Sequence, residues 1–416
     1  MKTRYLDNVK ISIFLLVNLV LSYAFICMTK NCFSAAMVFI VDEGHMTKLE
    51  TGTISAVFYA VYAILQICGG VVTDKWRPEI FITIGLFGAG IANTLVYFFN
   101  TNYVAVLIIW ALNAAVQFGV WPATFKLVST MLEDSISSIG MLIVTFSNPL
   151  GVMAGYAVAA LVPTWQTNFL VSGIGLFIIG AIFVISFGFI GKRLTVKETV
   201  RVEYKSEAKG ERGFLSLLLS SGLVFILFFT LVRTMFDIGL KSLAPSMIKE
   251  SYENVDPVLA TVLSIIVLVC GVLGPIFSQL VYPRLIKNEV LACAVFFGAG
   301  IPVTAVLLFI GQINYWFIVA ALATVVFLMS ATGLFTTSFI ATKFNKWGKG
   351  ATVAGLLNCL ASLGIVLTNV VFTALAENIG WRGTAVIWLI LMISAALLAV
   401  FATPVWRKFK KNNNLI

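Results

Sequence analysis

From Gly191 to Gly213 the chain reads GKRLTVKETVRVEYKSEAKGERG. Seven Lys or Arg residues and four Glu residues crowd into this stretch, and it has no apolar face. Such a segment cannot bury enough surface to fold by itself. It reads as a flexible or amphipathic connector, and the composition inverts on both sides of it. The expected organisation is an N-terminal six-helix bundle over 1–190, the connector over 191–213 and a C-terminal six-helix bundle over 214–416.

Of 416 residues, 60% are hydrophobic and 11% are charged. A soluble domain carries roughly 25% charged residues, so the solvent of this chain is a lipid bilayer. A crossing helix needs ~20 mostly apolar residues. Twelve runs qualify, over 11–40, 51–73, 79–99, 103–128, 135–162, 167–190, 214–248, 255–281, 289–311, 315–342, 351–377 and 382–405. The first is too long for the apolar core of a cleaved leader and is expected to remain as a helix. The fold class is all-α, with twelve transmembrane helices.

Twelve spans put both termini on one side. That side receives 22 of the 28 Lys and Arg residues, including those of the connector, while the opposite loops carry Lys48, Lys249 and Arg382. Basic loops stay in the cytoplasm. We therefore expect a multi-pass plasma (inner) membrane protein, monomeric, with cytoplasmic termini. The net charge of +10 is dispersed between spans and implies no nucleic-acid partner.

Catalytic chemistry has no foothold. The six cysteines lie in apolar segments without metal-ligand spacing, and the single histidine, His45, sits in a short polar loop. No phosphate-binding GxxxxGK[ST] and no nucleophile–base set are present. We expect no enzyme activity, no metal and no cofactor. Energy must come from ion or substrate gradients.

The halves echo each other: VPTWQTNF precedes the sixth span, NIGWRGTA the twelfth, and Trp165 and Trp381 lie 216 positions apart. The second span ends GGVVTDKWRPE, in which Gly70, Asp74, Lys75 and Arg77 fit the pattern G-x-x-x-D-[RK]. This pattern resembles the loop signature of the major facilitator superfamily. The resemblance implies two pseudo-symmetric six-helix halves, with substrate held near the bilayer midplane. It implies that the Asp74 region latches one conformational state.

Once charges in the loops and at the span ends are set aside, four charged residues lie within the membrane: Lys30, Arg233, Asp237 and Lys241. Charge at that depth is costly, ~2.5–3.5 kcal/mol or more, and faces a cavity or a partner by default. Arg233 and Asp237 stand at i and i+4 and can pair along one helix face. Lys241, four residues further, is expected to snorkel to the outer interface. Lys30 has no acid among the spans of its own half, so its counter-ion is expected to be the cargo. Trp121, Asn113, Gln117, Asn148, Thr336 and Asn358 line the cavity or hydrogen-bond between helices.

KNCFSAAMVFIVDEGH, GVWPATFK and GKGATVAGLLNCLASLG…GWRG are similar to the first helix, the fourth helix and the tenth-to-twelfth region of the organophosphate:phosphate antiporters. That family contains the bacterial glycerol-3-phosphate and hexose-phosphate transporters. The resemblance implies that Lys30 takes the place of the family's first-helix arginine, and Asp237 that of its seventh-helix arginine. Tyr62 and Asn148 match the family, whereas Gln66 replaces a lysine and Ser147 a histidine. The site then keeps a cationic character with fewer positive groups, which favours a carboxylate or another weakly charged anion over a dianionic phosphate.

The expected function is secondary active transport of a small organic anion, an organophosphate or a carboxylate, by alternating access and exchange. One rival is proton-coupled symport of an organic acid, with Asp237 carrying the proton. The other is a transporter-like membrane sensor of an anionic metabolite.

Overall fold

The computed structural model describes residues 2–6, 8–132, 134–191, 193, 195–198, 214–285, 288–347 and 350–415. Contacts divide the chain into two compact units, Met1–Glu203 and Tyr204–Ile416. Among the described residues the only strands are Lys2–Tyr5 and Thr195–Glu198, paired antiparallel with Lys2 opposite Glu198. They tie the start of the chain to the start of the connector, a pairing that hydropathy does not foretell.

Unit one is built from Val9–Lys30 with Cys32–Asp42, Lys48–Lys75, Pro78–Phe99, Tyr103–Gln117 with Val120–Met131, Asp134–Leu161 and Trp165–Gly191. Local signals start these helices where they start. Thr47 and Glu50 close a capping box, Asn102 accepts from the amide of Ala105, and Pro78 occupies a first-turn position where its missing N–H costs nothing. Leu15, Leu19, Leu86, Leu127 and Leu176 meet in the core. Unit two repeats the scheme with Leu223–Ser251, Pro257–Leu285, Glu289–Val306, Tyr315–Leu334, Gly350–Leu367 and a last helix running to Asn412.

Helix neighbours repeat as well. In unit one the first span packs on the fifth, the second on the fourth and the third on the sixth. In unit two the seventh packs on the eleventh, the eighth on the tenth and the ninth on the twelfth, the same pairings six spans later. Among the described residues ten helical stretches are long and apolar enough to cross a bilayer. One, Cys359–Asn412, covers two spans, because Gly380 at φ 71° and ψ 172° breaks it. The 28-residue helix Lys48–Lys75 completes the twelve.

Several of the described spans depart from the uniform rods that hydropathy predicts, with π-helical turns at Phe335–Phe339 and Thr368–Phe372 among them, and three breaks have a local cause. The run expected over 214–248 is a short helix, Phe214–Ser220, and a separate span from Leu223, divided by Gly222 at φ 72°. Left-handed backbone is open to glycine without a Cβ clash. The fourth span breaks after Gln117, since Pro122 cannot donate a helical hydrogen bond to the preceding turn. The first span breaks at Asn31, where the Asn31 amide returns to the Cys27 carbonyl (2.8 Å) and the Thr29 hydroxyl to those of Phe25 and Ile26. Side chains that bond backward to carbonyls bend helices.

At the end of unit two that carries the C-terminus, Glu289 is fully buried. It accepts from Trp406 Nε1 at 2.9 Å and pairs with Lys410 at 3.0 Å, with Lys343 at 3.9 Å. Lys410 and Lys343, read from sequence as loop charges, thus anchor the last helix. Glu289→Gln keeps the shape but removes the charge that holds Lys410. We expect it to lose about 1–3 kcal/mol, visible as a lower unfolding temperature in detergent. The exposed Glu253→Gln should leave the midpoint in place; equal midpoints for both variants would remove the anchor from the account.

Candidate functional site

Unit one gathers aromatic rings around one cation. Lys30 is the last residue of its helix segment, where the negative end of the helix dipole favours a cation. Its Nζ lies 4.1 Å from the centroid of the Tyr62 ring, 5.1 Å from that of Tyr59 and 5.7 Å from that of Phe58. Phe58 and Tyr62 are one helical turn apart and stack at 10° between planes, so together they form a flat wall. Among the described residues no carboxylate reaches Lys30. Ring faces return ~0.5–2 kcal/mol to an ammonium, which leaves most of its hydrogen-bonding capacity unused.

Two turns earlier on the same helix, Tyr23 packs on Trp121 with centroids 4.9 Å apart. Asn148 is exposed. Asn113 and Gln117 are buried and bond to each other at 2.7 Å. Among the described residues this leaves Asn113 Nδ2 and Gln117 Oε1 without partners. Thr336 is satisfied by its own helix, donating to carbonyls of Thr332 and Gly333.

Unit two gathers charge. The seventh span passes through a π-helical turn, Met235–Gly239, with Asp237 at its middle. Such turns often mark functional sites. Arg233 Nη1 donates to Asp237 Oδ2 at 3.1 Å, and Lys241 Nζ to Asp237 Oδ1 at 2.6 Å. Ser330 of the tenth span donates to the same Oδ1 and accepts from Lys241 at 3.3 Å. Arg233 Nη2 reaches the Thr234 hydroxyl at 3.2 Å. Two cations around one carboxylate leave the cluster with a net charge of +1.

Lys241 therefore does not snorkel as expected. Its head fits a slot left by Gly271 on the eighth span, where a Cβ would fall 2.4 Å from Lys241 Cε and 2.6 Å from Nζ. The i, i+4, i+8 spacing already aligned Lys241 with Asp237, but no sequence signal pointed to Ser330.

The expected latch lies mostly beyond description. Gly70, Asp74 and Lys75, like Gln66 and Asn358, have side-chain positions outside the described set. Arg77 is exposed and bonds Glu79 Oε1 through Nε at 2.6 Å. A different symmetric feature emerges at the far ends of the first spans. Trp165 Nε1 donates to Glu43 at 2.9 Å, and Trp381 Nε1 to Glu250 at 2.6 Å. The two acids are 207 positions apart. The same offset superposes Lys30 on Asp237, so one half places a cation where the other places its carboxylate.

The chain matches the Major Facilitator Superfamily over residues 19–361. It is 33% identical over 103 residues to the membrane sensor protein UhpC of Salmonella typhimurium, covering 25% of this chain and 23% of that protein. It is 30% identical over 115 residues to a probable hexose phosphate transport protein of Chlamydia trachomatis, covering 28% and 25%. The matched stretches thus span about a quarter of these relatives' lengths. In fold the chain is similar to a bacterial homologue of the human lysosomal transporter Spinster, inward-facing and unoccupied. The TM-score is 0.77 at 12% identity, covering 97% of this chain and 99% of that one. A mutant of the nucleoside transporter NupG aligns with a TM-score of 0.69 at 13% identity, covering 93% and 99%.

Proposed function

The chain belongs to the Major Facilitator Superfamily, a family of multi-pass membrane transporters and not of enzymes, and from that premise we propose that it moves a small organic anion by alternating access. The observation that carries this reading is Lys30, a cation in the membrane whose near neighbours are ring faces. Desolvating a charge without a partner is unfavourable, and an anionic cargo relieves that cost. Arg233 supplies the corresponding cation in the other unit, within a cluster of net charge +1. The cargo class is an organophosphate or a carboxylate. The probable hexose phosphate transport protein among the relatives supports the phosphate ester.

Coupling is by exchange: the empty transporter does not reorient, and one anion crosses against another. The protein works as a monomer in the plasma membrane with cytoplasmic termini. The experiment is counterflow in proteoliposomes that contain only this protein. They are loaded with inorganic phosphate, glucose 6-phosphate or a dicarboxylate, and uptake of the labelled anion is followed. Accumulation that depends on the internal anion and survives collapse of the proton gradient supports exchange. Uptake that requires the gradient supports symport.

A second reading is favoured by the likeness to a protein named a membrane sensor. A pure sensor binds the anion and moves none of it, so saturable binding without counterflow selects that reading.

In the transport reading the Gly70–Arg77 segment acts as a conformational latch, as its motif suggests. Asp74→Asn should then slow counterflow several-fold while leaving the equilibrium Kd for anion nearly unchanged, since it shifts conformers without touching cargo. Loss of binding in a folded Asp74→Asn protein would move Asp74 into the site.

A further inference from the structure

The two oxygens of Asp237 serve different partners. Oδ1 is held by Lys241 at 2.6 Å and by the Ser330 hydroxyl, which comes from a different span. Among the described residues Oδ2 has one hydrogen bond, from Arg233 Nη1 at 3.1 Å. Charge-assisted N–H···O bonds are usually ~2.7–2.9 Å, and strong Arg–carboxylate pairs are bidentate. The Arg233 contact is long and single, so it is the weaker half of the arrangement. Arg233 Nε is buried and has no partner among the described residues. Gly333 lets the guanidinium pack closely, since a Cβ there would stand 2.9 Å from Nη1. Lys241 packs in the same way against Gly271, but its ammonium also bonds both Asp237 and Ser330.

We infer that Lys241 is the standing counter-ion of Asp237, which leaves Arg233 as the group that gives up its carboxylate contact to bind an oxyanion of the cargo through its Nε edge. This rests on the anion-transport reading above and deepens it. When Arg233 turns to a carboxylate or phosphoryl group, Asp237 keeps Lys241 and Ser330 and needs no proton. Lys241 is then a positioning residue: it holds Asp237 and so sets Arg233 free, without meeting the cargo. Among the described residues the charged or titratable side chains about this cluster are Arg233, Asp237, Lys241 and, beyond Arg233, the thiol of Cys293 on the ninth span. Among the described residues the other carboxylate that reaches Cys293 is Glu289, which is held by Lys410 and Trp406. The device gives a structural reason for exchange over proton symport.

Two arms test it. The first needs no cargo. Infrared spectra of purified protein at neutral pH are compared for wild type, Arg233→Gln and Arg233→Gln/Lys241→Gln. The inference expects the protonated-carboxyl band of Asp237 only in the double variant, and its loss when Asp237→Asn is added. That band in Arg233→Gln alone overturns the standing counter-ion. The second arm uses glucose 6-phosphate and inorganic phosphate. Wild type should bind with no proton uptake beyond that seen with Asp237→Asn. Lys241→Gln should bind about ten- to a hundredfold more weakly, the scale of a lost charged interaction, and should recover as pH falls and Asp237 protonates. Stoichiometric proton uptake by wild type, or an unchanged affinity and pH profile in Lys241→Gln, overturns the inference. If wild type binds none of glucose 6-phosphate, inorganic phosphate and a dicarboxylate, the transport reading fails, and the infrared arm still decides the role of Lys241.

Discussion

Lys30→Gln is expected to lower anion affinity by one to two decades without unfolding the protein. A hydrogen bond to a charged partner contributes ~1.5–3 kcal/mol, and glutamine keeps the length and a donor but not the charge. Stability should hold or rise, because the wild-type ammonium has ring faces and no carboxylate for company among the described residues. A residue that weakens the fold and strengthens binding is one whose partner arrives from outside. Lys30→Arg should keep part of the affinity, with a wider head displaced against the Phe58–Tyr62 wall. Binding isotherms of the purified variants, with unfolding midpoints measured on the same samples, read both effects. A well-folded Lys30→Gln protein with wild-type affinity would remove the central claim.

What the sequence showed and hid follows from the forces each pattern records. Hydropathy records transfer to lipid, so the twelve spans were legible, including the second, whose charged end dilutes it. Hydropathy is silent about how a helix satisfies its carbonyls. The break at Asn31, the turn at Gly222 and the π turn around Asp237 were therefore invisible. The pairing of Arg233 with Asp237 was legible because it is local, four residues along one helix. The seat of Lys241 was not, because it depends on the absence of a Cβ at Gly271, on another helix. Spacing alone could not separate an inward lysine from one reaching for the interface. The repeated tryptophans were in view, but their acids Glu43 and Glu250 were missed, since the offset between the acids differs from that between the rings.

Asp237→Asn should be the most damaging single change in unit two, at about 3–5 kcal/mol, the usual cost of breaking a buried ion pair by removing one partner. Here the carboxylate answers two cations, so its loss leaves Arg233 and Lys241 facing a neutral amide and each other. Their escape routes differ. Lys241 is the more exposed of the two, at 21% of its side chain against 8% for Arg233, and its flexible stem can carry the ammonium outward. Arg233 is the more deeply buried and keeps the Thr234 hydroxyl as a partner. The second-site changes should therefore rescue unequally: Arg233→Gln restores most of the lost stability in the Asp237→Asn background, and Lys241→Gln restores less. In the wild-type background the order of damage should reverse for function, with Arg233→Gln abolishing counterflow while the fold survives on the Lys241–Asp237–Ser330 contacts. Chemical unfolding of the four combinations measures the coupling directly, because neighbours in one network are not additive. If Lys241→Gln rescues Asp237→Asn better than Arg233→Gln does, Arg233 is not the residue left in need of an anion.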